Sequence, residues 1–231
     1  MLGALIAACL ICVTKLKISN RAVGKAVMMV LIVLKIFHMA LSMKESEFGG
    51  FVLKQSQLSF HLCSIMIYTV IVTNLINNEK LVQRLKSFMV PCLFIGAAMA
   101  LLIPTEGTDP AVPRVWQYML IHGVLVFYGI YLAAVEKVDL SFKAYFNNIK
   151  MLLGVTLVAF LMNSVLEQYE TNFLFLREPP MENLPLLNLN NGWYCYFIVL
   201  ALLACLLTLL VQLPFMLAAQ KRSKAKNAGG E

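Results

Sequence analysis

Ser59-Phe60-His61-Leu62-Cys63-Ser64 opens an apolar run that reaches Leu75. A run of this kind reads as a membrane helix, because roughly 15–22 apolar residues cross a hydrocarbon core about 30 Å thick. Six further runs share its character, so its reading decides the fold: an all-α polytopic membrane helix bundle. The seven runs are 1–14, 24–43, 58–77, 88–104, 114–135, 148–168 and 193–215. The first is short for a span, about 21 Å by helical rise, so the chain has seven transmembrane helices, or six if that run does not cross. The opening stretch also places an imidazole and a thiol just inside hydrocarbon. Ionisable groups there are costly, and a functional site is the first hypothesis for them.

Composition agrees. Of the 231 residues 60% are hydrophobic and 13% charged, with mean hydropathy +0.78, whereas soluble domains are about 25% charged. No segment is long or polar enough for a separate soluble domain. A single transmembrane domain over 1–220 is expected, followed by a disordered, basic cytoplasmic tail over 221–231. The net charge is +7, but the basic residues are dispersed, which excludes a nucleic-acid-binding surface. They lie in short loops: Lys15, Lys17, Arg21 and Lys25; Lys80, Arg84 and Lys86; Lys137, Lys143 and Lys150; and Lys221, Arg222, Lys224 and Lys226 in the tail. The opposite loops hold Lys44, Lys54, Arg114 and Arg177. Fourteen against four places the N-terminus outside and the C-terminus in the cytoplasm.

Turn residues mark the outer segments: Gly49-Gly50, Pro104-Thr105-Glu106-Gly107, Asp109-Pro110, Pro179-Pro180, Pro185 and Asn190-Asn191-Gly192. Trp116 and Trp193 fall at outer interfaces. Pro91 sits in the first turn of its run, where proline is tolerated. Cys9 and Cys12 have CxxC spacing but lie in a membrane run, where small apolar packing is the reading. The remaining thiols, Cys63, Cys92, Cys195 and Cys205, also lie in or beside apolar runs, so neither a metal nor a cofactor is expected. Ile6-Ala7-Ala8-Cys9 has the look of a lipoprotein cleavage box, but no positive charge precedes it and the apolar stretch before it is short.

Polar residues gather at one depth. His38, His61 and His122 sit roughly 5–12 Å below the outer surface by helical rise. Lys35 and Asn163 share that layer, and Gln117 lies close to it; the inner half of the bilayer shows no comparable set. Lys35, His38 and Ser42 form one helical stripe, as do Tyr118 with His122 and Asn163 with Glu167. Lys35 is too deep to snorkel with ease, so an internal acidic partner, Glu167 or Glu106, is expected. His61 and Cys63, two residues apart, point about 200° from each other on a regular helix.

These residues carry a resemblance. Phe60-His61-Leu62-Cys63-Ser64-Ile65 resembles the Leu-His-Leu-Cys-type element of the bacterial YwaF-like integral membrane proteins. The likeness continues through Arg114-Val115-Trp116-Gln117-Tyr118, Ile121-His122-Gly123, Ile130-Tyr131-Leu132 and Val135-Glu136. It returns at Asn163, Tyr169, Thr171-Asn172-Phe173-Leu174-Phe175-Leu176, Pro179-Pro180 and Gly192-Trp193-Tyr194, covering about 25 to 215. That family is distantly similar to eukaryotic transmembrane proteins of lipid acyl chemistry, an ether-phospholipid acyltransferase and the androgen-induced fatty-acid-ester hydrolases. The resemblance implies a site in a bacterial plasma membrane with His122 at the catalytic histidine. It puts the acyltransferase's nucleophilic cysteine at the position of Phe60, while Cys63 lies on the other side of His61.

Two functions therefore stand as expectations, with membrane lipids as partners. In the first, a lipid acyltransferase or hydrolase, His122 is the general acid or base, His61 the second, and Cys63 the nucleophile. Lys35, His38, Gln117, Tyr118, Asn163 and Asn172 bind substrate, with Gln117 and Asn163 as oxyanion donors. In the second, Lys35, His38 and His122 form the solute or proton site of a non-enzymatic carrier. A small assembly partner of another membrane protein is a third.

Overall fold

The computed structural model describes residues 2–45, 51–53, 60–102, 107, 109–181, 184 and 186–228. Gly49-Gly50, Lys54, Ser59, Pro104-Thr105-Glu106 and Pro185 lie outside the described residues. Helices α1 (Leu2–Lys15) and α2 (Asn20–Ser42) lead to an antiparallel hairpin of β1 (Met43–Glu45) with β2 (Phe51–Leu53). Then come α3 (Leu62–Leu75) and α4 (Glu79–Cys92), which passes through a π-helical segment, Leu93–Ala98, into α5 (Met99–Leu102). Helix α6 (Pro113–Ile130) ends in a second π-helical segment, Tyr131–Glu136. Helices α7 (Phe142–Val165) and α8 (Trp193–Ala228) complete the bundle. The chain is thus a polytopic helical bundle. The hairpin is its one departure from all-α structure among the described residues.

Five helical stretches are long and apolar enough to cross a membrane: Asn20–Leu41, Glu79–Leu102, Pro113–Glu136, Phe142–Val165 and Trp193–Ala218. The first run and the opening run fall short of this, since α1 and α3 have 14 residues each. The boundaries move for local reasons. Asn78 accepts from the Leu81 amide at 3.1 Å and Ser141 from the Ala144 amide at 3.4 Å. These caps start α4 and α7 well before 88 and 148. Lys80, Arg84, Lys86, Lys143 and Lys150 consequently ride on helix ends rather than in loops. At the far end, the tail expected to be disordered continues α8 through Ala228. Its Lys- and Ala-rich composition is favourable to helix.

Helix α6 is the centre: half of its spanning window is buried, against 11% for α8. It packs on α1, α2, α3, α4 and the Leu93–Ala98 segment. Small residues set the approach distances, as in membrane bundles generally. A Cβ on Gly129 would stand 3.1 Å from Leu93 Cβ, and one on Gly24 would stand 2.7 Å from Asn74 Oδ1 on α3.

Pro91 lies deep inside α4 rather than in its first turn. Lacking an N–H, it cannot bond the carbonyl four residues back, that of Ser87. Asn148 of α7 takes that carbonyl, donating from Nδ2 at 3.2 Å. The Ser87 hydroxyl donates to Asp139 O at 2.6 Å. Beside this junction Lys86 pairs with Glu136, both largely buried, and Tyr131 donates to Asn20 Oδ1 at 2.6 Å. Thr208 and Gln212 of α8 are also buried. The inner half therefore holds a polar set of its own, contrary to expectation. The sequence reading placed Lys86 and Glu136 in loops and so missed it.

The segment between α7 and α8 folds into 3-10 turns at Glu167–Tyr169 and Phe173–Phe175. Leu174 and Phe175 both have φ of 55°, a left-handed backbone that costs energy for non-glycine residues. Three side chains hold them there. Asn163 accepts from Phe173 N at 2.8 Å and donates to Phe173 O at 3.0 Å. Trp193 donates to Leu176 O at 2.8 Å, and Tyr196 donates to Phe175 O.

Two expected outcomes follow from these junctions, both read as thermal unfolding of the purified protein in detergent. Asn148→Leu strands the Ser87 carbonyl and destabilises by about 1–3 kcal/mol. The loss shrinks in a Pro91→Ala background, whose new N–H takes the same carbonyl. Equal losses in both backgrounds would show the account wrong. Asn163→Leu leaves the buried Phe173 N–H unpaired, while Phe173 O keeps the Leu176 amide at 3.4 Å; it costs about 1–3 kcal/mol, with protease cleavage appearing first between 166 and 181.

Candidate functional site in the outer half of the bundle

Three helices bring polar side chains to one level. Lys35 and His38 come from α2, His61, Cys63 and Ser64 from the start of α3, and Gln117, Tyr118 and His122 from α6. Lys35 Nζ donates to Ser64 Oγ at 3.4 Å, joining α2 to α3. His38 Nδ1 donates to Gln117 Oε1 at 3.2 Å, joining α2 to α6. The Gln117 amide then donates to Leu34 O at 3.5 Å. Tyr118 donates to Ala100 O at 3.0 Å, and its ring lies 4.2 Å from that of His122. The imidazoles of His61 and His122 lie within electrostatic reach of Lys35 and His38 respectively.

His122 is buried, and its Nδ1 lies 2.7 Å from Tyr118 O. A carbonyl oxygen only accepts, so Nδ1 carries the proton and Nε2 carries the lone pair. Helix geometry makes this local: the carbonyl belongs to the residue one turn earlier.

The opening stretch behaves differently from a regular helix. His61 has an extended backbone, φ −74° and ψ 151°, and α3 begins only after it. The 200° separation derived for His61 and Cys63 therefore does not apply. Their neighbours differ all the same. His61 packs its ring 5.7 Å from that of Phe173 and 5.6 Å from that of Phe175, on the loop that Asn163 clasps. Phe60, at the place of the resembled cysteine, lies 5.2 Å from the Phe173 ring. Cys63 turns the other way, toward Gly96 of the π-helical segment, where an added Cβ would stand 3.2 Å from Sγ.

Some expected site residues are occupied elsewhere. Asn163 accepts from Phe173 N through Oδ1 and donates one N–H of Nδ2 to Phe173 O, so it shapes the loop. Asn172 donates to Glu178 O at 2.9 Å and accepts from Arg177 N at 3.0 Å, again within the loop. Glu167, named as a partner for Lys35, pairs with Arg177 at 3.1 Å instead. Glu106 lies outside the described residues. A separate groove of about 270 Å³ opens between α7, the loop and α8, lined by Phe160, Asn163, Ser164, Glu167, Arg177 and Trp193, among others. Among the described residues, no group of three His, Cys, Asp or Glu is placed to hold a metal ion.

Sequence reasoning found the outer cluster but not Ser64 as the partner of Lys35, nor Gly96 as the seat of Cys63. Ser64 carried a signal, since it stands one residue beyond Cys63 in the opening stretch. Gly96 carried none without the packing of α4 against α3.

No curated protein matches the chain, and no solved structure does. The model of the TMEM164 family matches residues 1–212. That match makes the chain an integral membrane protein, and it supports neither the YwaF-like name nor the acyl-handling relatives inferred from the motifs. It likewise names neither a bacterial cell nor a plasma membrane. With nearly its whole length matched, the chain belongs to the TMEM164 family.

Proposed function

We propose that this protein is a membrane enzyme of lipid acyl chemistry, an acyltransferase or ester hydrolase working in the outer half of the bilayer. The observation that carries the reading is His122. Its Nδ1–H is held by Tyr118 O, which leaves Nε2 as a lone pair inside the bundle, the arrangement a general base requires.

A thiol lies at a similar depth. Gly129 meets Leu93 and Tyr118 meets Ala100 across the antiparallel pair of helices. Gly96, which seats Cys63, falls between those points, within about one helical turn (~5 Å) of His122 along the axis. In the transferase route, Nε2 takes the Cys63 thiol proton and the thiolate adds to the ester carbonyl carbon. The tetrahedral oxyanion collapses, and the leaving alkoxide takes the proton back from the imidazolium. An acceptor hydroxyl, giving its proton to Nε2, then adds to the thioester carbonyl, and the Cys63 thiolate leaves and takes that proton back from the imidazolium. In the hydrolytic route, water is that acceptor. Tyr118 backs the imidazole, and His38 with Gln117 fixes α2 against α6 around it.

The test is turnover of a panel of phospholipids and fatty-acid esters by purified protein. His122→Ala is expected to lower the rate at least about 100-fold, the scale of general acid–base catalysis. Full activity in that variant sinks the assignment. The carrier reading is favoured by one observation: among the described residues, the only hydrogen-bond partner of the Lys35 ammonium is Ser64. Solute flux into proteoliposomes that Lys35→Ala abolishes, with no acyl turnover, would decide for it.

A further inference from the structure

Lys35 is half-buried in the outer half of α2, and its ammonium meets no carboxylate among the described residues. Of the two acids expected to neutralise it, Glu167 is paired with Arg177, and Glu106 lies outside the described residues. A cation within the bundle that meets a hydroxyl and no carboxylate among the described residues marks a place for an anion.

The surroundings of Nζ favour the same charge. Its partner Ser64 lies in the first turn of α3, and the His61 side chain at the N-cap makes no capping hydrogen bond. The backbone N–H groups at the start of α3 thus point toward the level of Lys35, adding to its positive potential. Lys35 lies seven residues before the end of α2 at Ser42, or about 10 Å by helical rise. A water-borne ion reaches that level with difficulty, whereas an amphiphile delivers its polar end there with its chain in the hydrocarbon.

We infer that Lys35 and the Ser64 hydroxyl, at the head of α3, form a subsite for an oxyanion carried on an acyl chain, either a fatty-acid carboxylate or a lipid phosphate. The inference rests on the lipid reading of the site. It makes Lys35 the group that fixes the polar end of the substrate, with Cys63 and His61 flanking the position.

The experiment uses the full chain in phosphatidylcholine nanodiscs and a diazirine-bearing fatty acid as photocrosslinking probe. Palmitate, lysophosphatidic acid and uncharged methyl palmitate compete for labelling. At least one of the two anions is expected to compete about tenfold or more better than methyl palmitate. Stronger competition by palmitate assigns a carboxylate, and by lysophosphatidic acid a headgroup phosphate. Lys35→Arg is expected to keep the preference, while Lys35→Met abolishes it. Lys35→Gln serves where the methionine variant is not monodisperse. Equal competition by anions and ester in the parent protein, or a preference that survives loss of the charge, overturns the proposal. Turnover measured in the same discs separates the two readings. Anion preference without turnover on any lipid leaves the subsite and removes the acyl chemistry, and turnover without preference does the reverse.

Discussion

Gly129 lets Leu93 come so near that a single Cβ would stand 3.1 Å away, and the rest of the bundle is arranged from that contact. In hydrocarbon, burying apolar surface gives little drive for helices to associate, so close packing and internal hydrogen bonding must hold them. Helix α6 therefore needs a partner that offers both. The α4–α5 helix supplies a smooth π-helical segment for the packing and the Ala100 carbonyl for Tyr118. Once α6 is seated, its two polar ends are placed: His122 above and Glu136 below. The Pro91 junction follows from the same helix. By removing one backbone N–H, Pro91 exposes the Ser87 carbonyl to α7, and Asn148 binds the two helices where apolar packing alone would let them slide.

The polar groups inside the bundle divide by what they are bonded to. Asn163, Asn148, Tyr131 and Gln117 each meet protein partners. Such groups specify the fold, because an unmade hydrogen bond in a medium without water costs far more than a made one yields. Lys35 and His122 are different. Each has one hydrogen bond among the described residues that orients it and leaves its reactive function, an ammonium charge or a nitrogen lone pair, available. That difference, rather than membrane depth alone, separates the chemistry-bearing residues from the structural ones.

Shared level along the bundle was legible in the sequence, and partnership was not. Hydropathy and the asymmetry of Lys and Arg yielded seven helices in order, because both depend on composition over a window. Lys35, His38, His61 and His122 were found together for the same reason, since rise per residue converts position into depth. The helix starts were misplaced because a single capping residue, Asn78 or Ser141, outweighs the charged residues that follow it. Lys86 and Glu136, fifty positions apart, looked like loop charges until the early start of α4 and the late end of α6 brought them into one buried pair. The fate of Asn163 depended on a loop with left-handed Leu174 and Phe175, which no periodicity announces.

The short α3 ties these threads together. A helix that began at 58 would have carried His61 and Cys63 on opposite faces as ordinary members of a span. Beginning after His61, it converts the same six residues into a helix start, and a helix start in hydrocarbon is electrostatically conspicuous. Its first N–H groups have no partner further along the helix and favour negative charge beside them. Lys35 meets the hydroxyl at that terminus, the thiol beside it rests on Gly96, and the preceding imidazole rests on the clasped loop. The stretch that first announced a membrane helix is therefore most informative where that helix fails to form.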